Sequence, residues 1–420
     1  KLQNFEKNPV VICSLGDNSV TEGEVAEAFQ FAALHQLPII FLVQDNEWGI
    51  SVTKEEARTS DAYDYAAGFV GLNRMRIDGT DFVESFIQMQ KAVHFVREER
   101  KPLLVCAKTV LIGHHTSGVR REFYRDEADL AKHRAKDPGI ILKKYLLEEG
   151  FSEETLSQIE IEARKQIEED FNKAILAPDP KPETVKEHVY APTPITEEKG
   201  NRVPENGEKI PMVDAGIHAI QELMHKHPEA LLYGQDVGGR IGGVFREAVT
   251  LQQKFGNKRV FNTAIQEAYI IGSTVGMSAV GLKPIVEVQF ADYIYPGINQ
   301  LVTEVSKSCY LSNGKYPVSS IIRVPIGAYG GGGPYHSGSV ETMLAQIKGI
   351  KIAYPSNAAD FKGLFKAAFY DPNPVIFLEH KGLYWSKVPG TEDAKTVEPA
   401  EDYILPFGKA NIVKFANEEE

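Results

Sequence analysis

The feature that most constrains the fold is an alternation of short, β-branched apolar runs with longer amphipathic stretches. The alternation stops at a proline-rich segment and then restarts. The runs at 9–14 and 38–43 flank a helix-like stretch over 23–35, which is the pattern of a βαβ unit. Repeated units of this kind predict mainly parallel sheets with helices on their faces. We therefore expect an α/β protein with two such domains.

The same periodicities predict the remaining elements. In the first half they indicate a strand over 103–108 and helices over 81–100, 140–149 and 153–175. In the second half they indicate strands over 231–233, 284–288, 318–324, 350–353 and 374–378, and helices over 213–225, 267–280, 294–311 and 358–369. Between 177 and 211, seven prolines with many lysines and glutamates predict an extended linker.

Composition excludes several classes of protein. The net charge of -12 provides no basic field for nucleic acid. The three cysteines are too far apart for a zinc site or a disulfide scaffold, and they favour a reducing cytosol or organelle matrix. The sequence contains neither a signal-peptide pattern at its start nor a run of 18 apolar residues, so we expect no membrane association.

Polar residues follow the first two predicted strands. Gly16-Asp17-Asn18-Ser19 comes after the run at 9–14, and Asp45-Asn46 comes after the run at 38–43. Ligands bind at the carboxyl ends of parallel strands, and Mg²⁺ prefers carboxylate and amide oxygens. Asp17 and Asn46 are therefore candidate metal ligands. Helix capping explains such residues equally well from spacing alone.

Three further groups carry candidate chemistry. Glu267 begins a predicted helix in FNTAIQEA, where a solvated charge is the ordinary interpretation. The glycine run at 330–333 precedes His336 and lacks the lysine of a phosphate-binding loop, so close backbone approach or a turn explains it better. His114-His115 lies in a predicted loop, and adjacent histidines rarely bind one metal ion.

The stretch GDNSVTEGEVAEAFQFAALHQLPIIFLVQDNEWGIS resembles the thiamine-diphosphate motif of the 2-oxo acid dehydrogenases, and the resemblance covers nearly the whole chain. It implies that Asp17, Asn46 and the Trp48 carbonyl bind Mg²⁺ and that Ile50 props the bent cofactor. It also implies cofactor contacts at Asn18, Ser19, Ile265 and Tyr293. The family usually has glycine at position 18 and asparagine at position 45, and we expect Asn18 to narrow the diphosphate loop.

The resemblance also implies roles for residues of the second half. Glu267 would exchange a proton with the aminopyrimidine ring, while His336 and His115 would assist the reaction at the substrate. Asp371 and Asn373 match a monovalent-cation site, such as one for K⁺, in some relatives. Branched-chain relatives carry arginine where Leu111 stands, so we expect the His114-His115 loop to lack that arginine anchor.

By resemblance, residues 1–176 form an α-subunit-like diphosphate-binding domain, incomplete at its N-terminus. Residues 177–211 form the linker, residues 212–395 a β-subunit-like pyrimidine-binding domain, and residues 396–420 the start of an incomplete further domain that includes the apolar run Ala410–Phe415. The fused subunits would form a homodimer with active sites between protomers.

The activity implied is oxidative decarboxylation of a branched-chain 2-oxo acid of the 2-oxoisovalerate type, through a thiamine diphosphate ylide. The acyl group would pass to the lipoyl group of a dihydrolipoyl acyltransferase. The stretch QFADYIYP favours the branched-chain type over pyruvate-specific relatives. A pyruvate or acetoin dehydrogenase component, a transketolase-like enzyme and a catalytically silent scaffold are the alternatives. A nicotinamide dehydrogenase is disfavoured because no G-x-G-x-x-G opens a helix after a strand.

Overall fold

The computed structural model of the chain describes residues 8–246 and 248–409. They divide into two units, with the division between Pro180 and Lys181. Across these described ranges, no helix is both long and apolar enough to cross a membrane. The apolar run Ala410–Phe415 predicted from the sequence lies outside the described residues.

The first unit contains the strands β1 (Val11–Gly16), β2 (Ile39–Asp45), β3 (Trp48–Gly49), β4 (Val52–Thr53), β5 (Asn73–Asp78) and β6 (Leu103–Lys108), of which β3 and β4 form a separate two-stranded ribbon. Its other four strands form a parallel sheet in the order β1-β2-β6-β5. Its helices are α1 (Gly23–His35), α2 (Lys54–Ala57), α3 (Ala62–Tyr65), α4 (Phe82–Glu99), α5 (Glu127–Arg134), α6 (Pro138–Glu148) and α7 (Glu153–Leu176).

Apolar side chains cover both faces of this sheet. Phe29 of α1 packs with Phe41 and Leu104 on one face, and Val96 of α4 packs with Ile40 on the other. A parallel sheet buried on both faces needs nearly continuous apolar strands, as β2 and β6 provide. The register aligns Asp45 with Lys108, so the polar residues that follow these strands share one edge of the sheet.

The second unit contains the strands β7 (Lys209–Ile210), β8 (Ala230–Gly234), β9 (Val260–Asn262), β10 (Lys283–Glu287), β11 (Ile321–Ile326), β12 (Lys351–Ala353), β13 (Val375–His380) and β14 (Thr396–Val397), of which β7 and β14 form a separate antiparallel pair. Its other six strands form a parallel sheet in the order β12-β13-β11-β10-β8-β9. Its helices are α8 (Met212–Lys226), α9 (Leu251–Phe255), α10 (Glu267–Ala279), α11 (Ile298–Gln300), α12 (Ser308–Leu311), α13 (Glu341–Ala345) and α14 (Ala358–Tyr370).

Helices also cover both faces of the second sheet. Phe361 of α14 and Met224 of α8 belong to one core, while Ile271 of α10 belongs to the other. The expected architecture of mainly parallel sheets flanked by helices is therefore confirmed in both units. The helix predicted over 294–311 is wrong as a single element, because this stretch contains α11, a π-helical turn over Leu301–Val305 and α12.

Part of the segment predicted as a linker is bound to the second unit. The Tyr190 hydroxyl donates to the Ile350 carbonyl at 3.1 Å, and the Ala191 amide donates to the Asn373 side chain at 2.7 Å. Lys199 and Ile404 form a bridge through their main chains. These contacts give the proline-rich stretch a fixed path over the second unit.

Candidate active site

Asp17 lies at the carboxyl end of β1, where its carboxylate contacts the turn that follows β2. The side chain is buried, and its Oδ2 accepts a hydrogen bond from the Glu47 amide at 3.1 Å. The adjacent Asn46 uses its Oδ1 to accept from the Trp48 amide at 2.9 Å. The two candidate metal ligands thus lie on neighbouring segments at one sheet edge. A carboxylate, an amide oxygen and a nearby carbonyl are a donor set suited to Mg²⁺.

Arg58 contacts this group, although no motif or spacing in the sequence predicts the contact. Its guanidinium lies 2.7 Å from Asp17 Oδ2 and 2.8 Å from Asp45 Oδ1, and it donates to Asn18 Oδ1 at 3.2 Å. Burial alone would lower the pKa of Arg58, but the bonds to Asp17 and Asp45 outweigh burial and raise it. Arg58 is therefore a permanent cation at the carboxylate that the family resemblance assigns to the metal.

Ser19 and Glu22, which follow Asn18 in the predicted diphosphate loop, form hydrogen bonds with nearby main-chain groups. Ser19 donates its hydroxyl to the Gly16 carbonyl at 2.8 Å, and the Glu22 carboxylate caps α1 by accepting from the Glu24 amide. The Asn18 amide group lies over Gly49, where an added Cβ would come within 1.8 Å of Asn18 Nδ2. A side chain at position 49 is therefore incompatible with Asn18 in this conformation.

Ile50, the predicted prop for the cofactor, has an unusual backbone conformation. It begins the two-residue turn between β3 and β4, and its φ is 57°. A β-branched residue at positive φ is a genuine outlier, and a strained residue of this kind costs about 1 to 3 kcal/mol. Such strain concentrates at functional sites, so the conformation supports a role for Ile50 without defining it.

Glu47 lies between β2 and β3 and is surrounded by lysines. Its carboxylate is 2.8 Å from Lys54 Nζ and 3.3 Å from Lys132 Nζ, and Lys108 is close as well. Burial would raise the pKa of Glu47, but the lysines outweigh burial and lower it to about 2. Glu47, Lys108 and Lys132 also line a cavity of about 400 Å³ at this sheet edge.

Asp45, Asp61 and Cys106 have ligand atoms within 4.8 Å of one another, which is a second possible metal grouping. Both carboxylates are already ion-paired, Asp45 with Arg58 and Asp61 with Arg76. Burial, followed by the two carboxylates, raises the pKa of Cys106 to about 11. Because a thiol must lose its proton to bind a metal, this group is a poor site.

The loop that carries His115 is fixed at its base. Leu111 donates its amide to His133 Nδ1 at 3.0 Å and accepts from Arg125 at 2.6 Å through its carbonyl. Burial, with nearby Arg125, lowers the pKa of His133 and keeps it a neutral acceptor. The main chain of Leu111 thus anchors the base of this loop. His115 itself is exposed, and its predicted role stays a prediction.

Glu267 is the first residue of α10, and it is buried in the second unit. Its Oε1 accepts a hydrogen bond from Gln235 Nε2 at 2.9 Å, and Gln235 follows β8 at the carboxyl edge of the sheet. The side chain is only 7% exposed, so the solvated-charge interpretation is wrong for this residue in the described structure. Ile265, by contrast, is 82% exposed.

The structure brings His336 and Tyr293 together. His336 Nδ1 lies 3.0 Å from the Gly332 carbonyl, which can only accept, so Nδ1 carries the proton. In the neutral ring Nε2 is then the acceptor, and the Tyr293 hydroxyl donates to it at 2.7 Å. An added Cβ at Gly332 would lie 2.4 Å from His336 Cβ, so close approach explains this glycine.

Lys381 supports the same loop. It is 2% exposed, its ammonium donates to the His336 carbonyl, and it lies 4.9 Å from the centre of the Phe290 ring. Burial lowers its pKa. Lys381 has no signal in the sequence, because its contact depends on how the loop after β11 returns to the end of β13.

Lys351 forms an ion pair with Asp371, one of the two residues predicted to bind a monovalent cation. Asp371 Oδ2 lies 2.6 Å from Lys351 Nζ, while Asp371 Oδ1 accepts from the main chain and side chain of Asn373. Lys351 also donates to Thr193. Lys351 therefore supplies a positive charge beside the buried Asp371 carboxylate.

Comparison with known proteins identifies two domains in the chain. Residues 2–183 match the model of the family described as "Dehydrogenase E1 component", and residues 208–386 match "Transketolase, pyrimidine binding domain". The prediction of two thiamine-diphosphate-type α/β domains is thereby confirmed.

Individual relatives are similar to about half of the chain. The 2-oxoisovalerate dehydrogenase subunit beta of Bacillus subtilis is 41% identical over 200 residues, which are 48% of this chain and 59% of the relative. The pyruvate dehydrogenase E1 component subunit beta of Acholeplasma laidlawii is 41% identical over 205 residues, 49% of this chain and 60% of the relative. A mitochondrial 2-oxoisovalerate dehydrogenase subunit beta of Dictyostelium discoideum is 42% identical over 208 residues, 49% of this chain and 54% of the relative. The chain thus spans little more than half the length of these proteins.

Proposed function

We propose that this chain, which joins a dehydrogenase E1 component domain to a transketolase-type pyrimidine-binding domain, is a thiamine-diphosphate-dependent decarboxylase component of a 2-oxo acid dehydrogenase complex. The observation that carries the proposal is the presence of both domain types in one chain, with a buried carboxyl group, Glu267, at the start of α10. The acceptor for the acyl group is proposed to be the lipoyl group of a dihydrolipoyl acyltransferase.

The first unit is proposed to hold the diphosphate end of the cofactor. Asp17, Asn46 and the Trp48 carbonyl would bind Mg²⁺, since hard oxygen donors suit this ion. Asn18 and Ser19 would lie beside the diphosphate, and Ile50 would support the thiazolium. Bound thiamine diphosphate supplies an electron sink at the carbon that loses carbon dioxide.

The second unit is proposed to bind the aminopyrimidine end of the cofactor and to transfer protons. Glu267 would exchange a proton with the ring, and Gln235, its hydrogen-bond partner, would keep the carboxyl oriented. Ile265 and Tyr293 are proposed to contact the ring. His336, with its protonated Nδ1 turned to Gly332, would present Nε2 and the Tyr293 hydroxyl to the substrate, and His115 would act from its loop.

The preferred substrate is proposed to be a branched-chain 2-oxo acid. Relatives named for 2-oxoisovalerate and for pyruvate are both 41% identical to about half of this chain, so similarity alone favours neither. The stretch QFADYIYP supports the branched-chain type by resemblance. Decarboxylation of 3-methyl-2-oxobutanoate and of pyruvate should be compared on the full-length protein. A higher kcat/KM for pyruvate would replace the branched-chain proposal with a pyruvate dehydrogenase component.

The monovalent cation expected near Asp371 and Asn373 stays a prediction. Such an ion would have to bind without Asp371 Oδ2, which is paired with Lys351.

A homodimer is also proposed, for which light scattering should give a mass near 93 kDa, twice the 46.6 kDa of the chain. A mass near 47 kDa under assay conditions would contradict it.

A further inference from the structure

One inference concerns Arg58 and rests on the proposed function, because it assigns this residue a role toward the metal and the diphosphate. The Arg58 side chain is 7% exposed, and its guanidinium contacts Asp17 at 2.7 Å and Asp45 at 2.8 Å. It also donates to the Asn18 side chain at 3.2 Å. Three acceptor oxygens therefore bind one guanidinium group. This arrangement is buried and geometrically fixed, unlike a surface ion pair.

Two of these acceptors are the positions at which the chain departs from the family motif. Glycine at position 18 would have no side chain for Arg58 to bind, and asparagine at position 45 would carry no charge. Asn18 and Asp45 are thus explained together, as the two tethers that hold the Arg58 guanidinium beside Asp17. The sequence alone does not explain Asn18 and Asp45 in this way, because it does not show that both side chains contact Arg58.

The charges of the group balance without a metal ion. Asp17 and Asp45 contribute two negative charges, while Arg58 and Lys108 contribute two positive charges at ion-pair distance. The Asp17 Oδ2 atom that binds Arg58 also accepts the Glu47 amide, so its hydrogen-bonding capacity is already used. A divalent ion that binds this carboxylate must therefore displace the guanidinium or share the carboxylate with it.

We propose that Arg58 is a tethered competitor of the divalent ion for Asp17 and a positioning residue for the diphosphate. Without the cofactor, Arg58 neutralises Asp17 and weakens metal binding. When the ion takes Asp17, Arg58 stays tethered to Asp45 and Asn18, and its freed N–H donors need an anionic acceptor, which a diphosphate provides. Metal and diphosphate binding are thereby coupled, and each increases the affinity for the other.

The test measures two affinities of the full-length protein that should change in opposite directions. Binding of Mn²⁺ alone, followed by electron paramagnetic resonance, should be tighter in Arg58→Met than in the unmodified protein, on the order of tenfold, because a charged competitor is lost. Binding of thiamine diphosphate at saturating Mn²⁺, followed by calorimetry, should be weaker by a similar factor. A purely structural role for Arg58 does not produce opposite changes.

Lys108→Met is the matched control. It removes a positive charge from the same group, because Lys108 pairs with Asp45 at 2.6 Å, but among the described residues Lys108 makes no ion pair with Asp17. Equal tightening of Mn²⁺ binding by both variants would overturn the proposal in favour of a general charge effect. If Arg58→Met does not fold, the neutral Arg58→Gln decides: tighter Mn²⁺ binding supports competition, and unchanged binding overturns it.

Asp17→Ala separates this inference from the proposed function. If Asp17→Ala binds Mn²⁺ as well as the unmodified protein does, the metal site of the proposed function is wrong. If Asp17→Ala loses Mn²⁺ while Arg58→Met leaves both affinities unchanged, the metal site stands and only the competition by Arg58 is rejected.

Discussion

Glu267 is a single carboxyl group whose environment sets its chemistry. It is buried at the start of α10 and has a hydrogen bond from Gln235, so it is held in one orientation. A fixed carboxyl group contributes to catalysis by proton transfer, which typically accelerates a reaction about 10² to 10⁴-fold. Burial and orientation both depend on the path of the chain after β8, which explains why the sequence pattern alone favoured a solvated side chain.

Glu267→Gln should keep cofactor binding and lose decarboxylation. Glutamine preserves the size of the side chain and can still pair with Gln235, but it cannot exchange a proton. We expect kcat to fall by about 10²-fold or more, with the affinity for thiamine diphosphate changed by less than about tenfold. Calorimetry and a decarboxylation assay measure the two quantities, with the exposed Glu205→Gln as control. Unimpaired turnover in Glu267→Gln would reject the proton-transfer role.

The contacts of Asp17 and Arg58 differ in how far the sequence could predict them. Asp17 and Asn46 follow neighbouring parallel strands, so topology alone predicts that they lie at one sheet edge. Arg58 comes from the end of the short helix α2, and no periodicity or spacing links it to β1. The only available signal was indirect, since two departures from a family motif at positions 18 and 45 indicate a shared partner.

Among the elements, strands and helices with strong periodicity were predicted best. The helix over 23–35 and the strand over 103–108 agree with α1 and β6 at both ends. Strand β5 was missed because it is an edge strand with a polar sequence, in which Arg74 and Arg76 lie over the Tyr63 ring. Met75 and Ile77 alternate with arginines, which is the pattern of a half-buried strand, but only two apolar residues carry that pattern.

Three neighbouring strands of the second sheet share one buried ion group. Arg323 of β11 is fully buried and binds Glu287 of β10 at 2.8 Å and Glu379 of β13 at 2.7 Å. Arg323→Met would remove the cation that binds both of these buried carboxylates. We expect a loss of about 3 to 5 kcal/mol in the free energy of unfolding.

Chemical denaturation followed by circular dichroism measures that loss. The exposed Arg240→Met is the control, since its removal should change the free energy by less than about 0.5 kcal/mol. A loss below about 1 kcal/mol for Arg323→Met would mean that the two carboxylates take up protons or water at little cost.

Glu398 joins α8 to α14 through ion pairs. His218 Nδ1 and Lys362 Nζ lie 2.9 Å and 2.7 Å from its Oε1. The hydrogen bond from His218 lowers the pKa of Glu398 from its ordinary 4.5 to about 2, with burial opposing and Lys362 assisting. A carboxyl group with a lowered pKa stabilises the folded state above pH 4.5, and this contribution is lost as the pH falls toward 2.

Glu398→Gln should therefore destabilise the protein in a pH-dependent way. At pH 6 the variant should lose about 1 to 2 kcal/mol, because partial exposure reduces the about 1.5 to 3 kcal/mol that hydrogen bonds to charged groups usually contribute. The difference from the unmodified protein should shrink between pH 4.5 and 2. Denaturation curves at several pH values, beside the exposed Glu304→Gln, measure it. The same difference at pH 3 and pH 6 would contradict the assignment of the ion pair.

For the whole molecule, the sequence predicted two α/β domains because the strand–helix alternation stops and restarts. It did not predict the path of the connecting segment, since proline-rich composition indicates extension but not where the chain binds. Tyr190 and Ala191 have partners near β12 and β13 that are about 160 to 180 residues away in the sequence. Contacts of such long range depend on the assembled second unit, and local composition does not encode them.

Cofactor binding is the property of the whole molecule that separates the proposed enzyme from a catalytically silent scaffold. A ligand that binds only the folded state stabilises it by about 2.7 kcal/mol at 100 times its Kd. Thiamine diphosphate with Mg²⁺ should therefore raise the melting temperature by about 5 to 10 °C, since each kcal/mol shifts the melting temperature of domains of this size by about 2 to 4 °C.

Mg²⁺ alone should shift the melting temperature less, because in our proposal Arg58 already neutralises Asp17. Differential scanning fluorimetry measures the shift, and Asp17→Ala should abolish it. A chain that shows no shift at millimolar cofactor would be a scaffold, whatever its similarity to decarboxylases.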